Sequence, residues 1–183
     1  MTPESVLSEG KISGGQVIDP SIFTDDDGKS YILWGNGYGA VAQLGDDMMS
    51  IVPGTYKKYS NTVDLRESIV VIKRNGIYHF TWSCDDTGSE NYRVNYGYSS
   101  SLYGDITYVG TILAKDTGRG ILGTGHQSLY YDESSDKCYI AYHRFVTPLG
   151  KFTSDFGIHR ETCIDEVTFN EETGLMEIVI PTH

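Results

Sequence analysis

The chain has 183 residues, enough to bury one sizeable core, so a single domain is its simplest organisation. A formal net charge of -11 and a pI near 4.7 work against nucleic acid and anionic membranes as partners, because both would repel such a surface. A neutral partner such as a sugar fits better, and 14 Tyr and 21 Gly against 5 Pro predict a mainly β protein with short strands and glycine turns.

Residues 1–16, "MTPESVLSEGKISGGQ", form a polar lead-in without a basic start or an apolar run. No segment approaches the roughly 20 apolar residues needed to span a bilayer, so no export signal or membrane anchor is predicted in this chain. Its localisation stays open. Cys84, Cys138 and Cys163 are far apart and form no CxxC pair, which argues against a zinc site and against a full disulfide framework.

The first predicted element is a hairpin in "DPSIFTDDDGKSYILWGN", followed by the strand candidate "YGAVAQL". The next, "ESIVVIKRNGIYHFTWS" from Glu67, is followed by "YRVNYGYS" and "ITYVGTIL". The third, "HQSLYYDESSDKCYIAYHR" from His126, is followed by "FGIHRETCI" and by "VTFNEETGLMEIVIPTH", which places a Thr-Gly turn between two further strands. Asp27-Gly28 and Asn75-Gly76 are dipeptides suited to tight hairpin turns, and Ser134 to Lys137 predicts a looser one.

These three segments repeat one pattern: an ionisable residue, a short apolar strand, a polar turn and an aromatic-rich strand. Their starts lie about 50 to 60 residues apart, in the range of propeller blades. The predicted fold is all-β, with about three four-stranded antiparallel blades over residues 17–60, 61–118 and 119–183. Because the inner strand of every blade lines the central channel, Asp19, Glu67 and His126 are predicted to occupy equivalent positions and to meet in space. Two converging carboxylates are the equipment for glycosidic bond cleavage: one protonates the leaving oxygen while another carboxylate activates water.

The acidic run "FTDDDG" is not an EF-hand, since aligning Asp25, Asp27 and Gly28 to that loop puts Phe23 at the first ligand position and Trp34 at the twelfth. It reads as a solvated turn. Its loose likeness to the Asp-box of sialidase propellers occurs once only.

"IDPSIFTDDDGKSYILWGN", "RESIVVIKRNG" and "GTGHQSLYYDESSDKCYIAYHR", in that order, resemble successive blades of glycoside hydrolase family 43, whose five-bladed propellers cleave arabinosides and xylosides. The resemblance runs from Val17 to the closing "IVIPTH" and implies inversion of configuration by three carboxylates. Asp19 then matches the residue that tunes the acid and orients substrate, and Glu67 matches the general acid. Ser68 and Ile69 follow Glu67 where the family more often has a small residue and proline. His126 matches the channel histidine that meets a central metal ion, usually calcium, or its water shell. Arg144 resembles an arginine that enters the substrate pocket, and Trp82 is placed where its face could meet a sugar.

The family's general base belongs to a first blade, and no residue before Asp19 takes that role. The chain is therefore expected to be a partial catalytic domain, inactive alone, with arabinose- or xylose-containing glycans and the missing N-terminal blades or a second chain as its partners. The alternatives are a non-catalytic carbohydrate-binding propeller or β-sandwich, and an inactive structural fragment.

Overall fold

A computed structural model of the chain describes residues 15–147 and 159–182. Most of the polar lead-in, and the first residues of the strand candidate "FGIHRETCI", lie outside the described residues. No helix is found among those described, and eleven strands form three antiparallel sheets. The first sheet contains β1 (Ser21–Thr24), β2 (Ser30–Trp34), β3 (Ala40–Gln43) and β4 (Lys57–Lys58), and the second contains β5 (Leu65–Arg74), β6 (Ile77–Cys84), β7 (Arg93–Ser99) and β8 (Thr107–Leu113). The third contains β9 (Gly125–Asp132), β10 (Lys137–Phe145) and β11 (Arg160–Val167).

Each sheet is a meander with its strands in sequence order, as short strands joined by tight polar turns demand. Asn75 and Gly76 both take positive φ, 51° and 77°, and close the β5–β6 hairpin in the manner of a two-residue turn. The first hairpin closes differently, with Gly28 N–H donating to Asp25 C=O and only Gly28 of the Asp27-Gly28 pair left-handed.

Alternation along the strands explains how the sheets stack. Tyr31, Leu33 and Val41 of the first sheet pack against Val71, Phe80 and Trp82 of the second. On the second sheet's other side, Val94, Tyr96 and Ile112 meet Cys138, Ile140 and Tyr142 of the third. The inner strands are stitched by polar contacts as well: Ser21 Oγ donates to Ile69 C=O at 2.8 Å, and Ser68 Oγ to Gln127 C=O at 3.1 Å. Successive twisted sheets packed face to face, with their first strands side by side, are the arrangement of propeller blades.

Two expectations are corrected. The third sheet has three strands among the described residues, and the closing segment forms no strand pair, only a bridge between Phe169 and Met176. Instead Met176 and Val179 pack into the core between the second and third sheets, where Val179 N–H donates to Ile112 C=O at 2.7 Å.

The second correction concerns register. In every sheet the inner strand carries an extra residue near its start. Ile18 C=O accepts from Gly35 N–H while Ser21 pairs with Leu33. Glu67 pairs with Ser83 while Val70 pairs with Thr81, and Gly125 pairs with His143 while Ser128 pairs with Ala141. These are β-bulges, and each opens with a left-handed residue: Asp19 at φ 57°, Ser68 at φ 57° and His126 at φ 51°. The equivalent positions are therefore Asp19, Ser68 and His126. Glu67 stands one residue earlier, level with Ile18 and Gly125.

Candidate active site

The bulges aim side chains from three strands at one point. Asp19, Glu67 and His126 each bring a ligand atom to within 4.8 Å of the others. The register offset of Glu67 does not prevent convergence, because a bulge re-aims the side chains that flank it. Two of the three, Asp19 and His126, line a cavity of about 330 Å³ together with Ser21, Ser68, Val70 and Ser128.

Glu67 is 7% exposed and fully partnered. Its Oε1 accepts the Tyr92 hydroxyl at 2.6 Å, its Oε2 accepts Asn36 Nδ2–H at 2.8 Å, and His126 Nδ1 lies 3.5 Å from Oε1. The contact with His126 is the strongest influence on Glu67 and holds its carboxyl below the ordinary value; burial opposes this and the Tyr92 hydroxyl reinforces it. The same contact, opposed by burial and helped by Asp19, raises His126. Asp19 is raised, by burial first, against the pull of His126 and with the push of Glu67. Its Oδ2 is buried without a hydrogen-bond partner among the described residues.

A polar brace fixes the backbone that carries His126. Ser83 Oγ accepts the His126 N–H at 2.8 Å and donates to Gln127 Oε1 at 2.8 Å. Gln127 Nε2 in turn donates to Ser68 C=O and to Thr81 Oγ1. Buried and 2% exposed, Gln127 thus ties both bulges to β6.

The other two expected residues sit elsewhere. Trp82 is fully buried, with Nε1–H donating to Val63 C=O at 2.8 Å, so neither ring face is open to a sugar. The reason is register: Trp82 shares the core-facing side of β6 with Tyr78 and Phe80. Arg144 is 4% exposed, and its described partners brace β10 against β11: Nε donates to Cys163 Sγ at 2.8 Å and Nη2 lies 2.9 Å from a Glu161 carboxylate oxygen. None of these contacts reaches the cluster.

Sequence reasoning missed Asn36 and Tyr92. A signal for Asn36 exists in "GNG", where flanking glycines present one polar side chain on a tight loop. Tyr92 follows a polar turn and carries no local sign of its role. His143, stacked on Tyr92 at 5.3 Å and 11°, completes this wall, and burial pushes it down to about 4.

The fold and this cluster define a β-propeller chain whose inner strands bring two carboxylates and a histidine together. The sequence profile of glycosyl hydrolases family 43 matches residues 4–174, and the chain belongs to that family. A β-D-galactofuranosidase of Aspergillus niger is 32% identical over 183 residues, covering 97% of this chain and 51% of that protein. Among solved structures, a glycoside hydrolase superposes with TM-score 0.74 at 29% identity, over 89% of this chain and 35% of that one. An α-L-arabinofuranosidase of Clostridium thermocellum superposes with TM-score 0.71 at 25% identity, over 94% and 55%. The chain spans about half the length of the Aspergillus relative.

Proposed function

We propose that this chain is the acid-bearing part of an inverting glycoside hydrolase acting on arabinofuranosyl or xylosyl units of plant cell-wall glycans. The observation that carries the reading is the convergence of Asp19, Glu67 and His126 on the inner strands of consecutive sheets, in a family 43 chain. In the proposed reaction Glu67 gives its proton to the glycosidic oxygen as the C–O bond breaks. Water adds to the anomeric carbon from the opposite face and yields its proton to a base carboxylate. Asp19, next to both Glu67 and His126, orients the acid and the sugar.

In the described surroundings Glu67 is favoured as the anion. An acid role needs a further negative charge beside it, which is what a base carboxylate on another blade would supply. A second observation supports participation in a larger propeller. The third sheet turns Tyr130, Tyr139, Ala141 and Ile164 outward around an apolar recess, with Tyr130 65% and Ile164 64% exposed. The opposite face of the same sheet packs on the second sheet, so this one is shaped to receive another blade, from a longer form of the chain or from a second chain.

A calcium ion belongs to the proposal in hydrated form. Calcium takes about six to eight oxygen ligands, whereas the cluster has the unpartnered Asp19 Oδ2, the His126 ring, and Glu67 oxygens already accepting hydrogen bonds. His126 and Asp19 would hold its water shell, and the ion would supply positive charge beside the carboxylates. Calorimetric titration with calcium tests this, and the absence of any binding heat counts against it.

The hydrolase reading is tested by release of p-nitrophenol from aryl arabinofuranosides and xylosides. The assay uses this chain alone and joined to the sequence preceding it in its gene. Activity is expected only from the joined form and is abolished on natural glycans by Glu67→Gln. Oligosaccharide binding without turnover in both forms would favour the non-catalytic alternative.

A further inference from the structure

We infer that Asn36 is a positioning residue that locks the carboxyl plane of Glu67 and leaves Oε1 as the oxygen that delivers the proton. The inference rests on the acid reading of Glu67 given above.

Asn36 is built into place by its backbone. Its N–H and C=O exchange hydrogen bonds with Gln16 at 2.9 and 3.0 Å, and the adjacent Gly37 N–H donates to Arg66 C=O at 2.7 Å. The loop is therefore stapled to the residue immediately before Glu67. Gly35, at φ 128°, has no room for a side chain, since a Cβ there would lie 2.1 Å from the Tyr38 carbonyl oxygen. Asn36 is 5% exposed, and its Nδ2 crosses from the first sheet to the second to reach Oε2.

The two donors on Glu67 differ in what they permit. In this orientation the Asn36 amide nitrogen can only donate, so Oε2 stays an acceptor and a proton there would face an N–H. The Tyr92 hydroxyl rotates: it donates to Oε1 when Glu67 is ionised and accepts from Oε1 when Glu67 is protonated. Oε1 is also the oxygen beside His126, which itself lines the neighbouring cavity together with Asp19. The proton is thereby placed on the oxygen nearest the cluster, from which it passes to the leaving glycosidic oxygen.

The test compares leaving groups in the form of the protein that hydrolyses aryl glycosides. Rates of Asn36→Ala, Glu67→Gln and the unaltered protein are measured on a dinitrophenyl glycoside, which departs without protonation, and on an alkyl or oligosaccharide substrate, which does not. Asn36→Ala is expected to lose about 10- to 100-fold in kcat on the poor leaving group, with KM little changed, and under about threefold on the activated one. Equal losses on both substrates, or no loss, in a protein where Glu67→Gln does show leaving-group dependence, overturn the positioning role alone. Absence of that dependence in Glu67→Gln, or absence of all turnover, overturns the acid reading and the inference with it. Should Asn36→Ala fail to fold, Asn36→Leu keeps nearly the size while removing the donor without adding a charge, and the same pattern is expected.

Discussion

Tyr92 reaches Glu67 across space that Gly125 leaves empty: its hydroxyl donates to Oε1 at 2.6 Å, and a Cβ on residue 125 would sit 2.4 Å from its ring. Gly125 stands level with Glu67 in the bulge register, so one blade omits a side chain where its neighbour carries the carboxylate. Gly125→Ala is expected to destabilise the chain by about 1–3 kcal/mol through overpacking, and by close to nothing in a Tyr92→Ala background. Urea unfolding of the four proteins of this cycle measures the coupling, and additive effects would show that the contact is not the reason for the glycine.

Trp82 is a core residue here, so its replacement should be read in stability. Trp82→Ala is expected to cost about 3–5 kcal/mol in unfolding experiments. Trp82→Phe, which keeps most of the ring, should leave oligosaccharide affinity unchanged; a tenfold weakening of binding in a folded Trp82→Phe protein would restore the platform role.

Acid should weaken the fold through buried histidines. Burial pushes His79 from 6.5 down to about 4, with its Nδ1 2.7 Å from the Tyr96 hydroxyl and its Nε2 buried without a hydrogen-bond partner among the described residues. The unfolded chain takes the proton at higher pH than the folded one. Stability from this residue is therefore complete above about pH 6.5 and falls as pH drops toward 4, by on the order of 2–3 kcal/mol. Unfolding free energies measured from pH 7 to 4.5 should decline less steeply in His79→Gln, and parallel slopes would rule the residue out as a source.

The thiols of Cys84 and Cys138, 0% and 1% exposed, are both pushed up to about 12 by burial. Neither should react with a disulfide reagent at pH 8 until the chain is unfolded. Fast labelling of either cysteine in the native protein, located by mass spectrometry, would contradict this packing.

Ile164 stands 64% exposed on the outward face of β11. Ile164→Lys should change the chain's own stability by less than about 0.5 kcal/mol while abolishing the activation expected, under the proposed function, when further blades are joined to the chain. Undiminished activation would mean that the partner blade docks elsewhere.

The hairpins, the three-fold repeat and the cluster's members were legible in the sequence because each rests on local chemistry. Turn residues and alternating apolar residues act over a few positions, and the repeat copies them. Ionisable residues at strand starts stand out for the same reason. The bulge register was not legible, since an inserted residue leaves the apolar pattern almost intact while shifting everything upstream by one place. Nor was the burial of Trp82, which depends on which side of β6 faces the neighbouring sheet.

The sequence by itself determined an all-β chain of repeated hairpins and the membership of Asp19, Glu67 and His126 in one set, because strand period and turn chemistry are written in adjacent residues. Only the tertiary structure decided that Glu67 stands one residue out of step, that Asn36 and Tyr92 hold it, and that Arg144 braces β11. Asn36 and Tyr92 lie 31 and 25 residues from Glu67 along the chain, and Glu161 lies on the strand after that of Arg144. Their meeting is set by how whole sheets twist and stack, which no short stretch of sequence encodes.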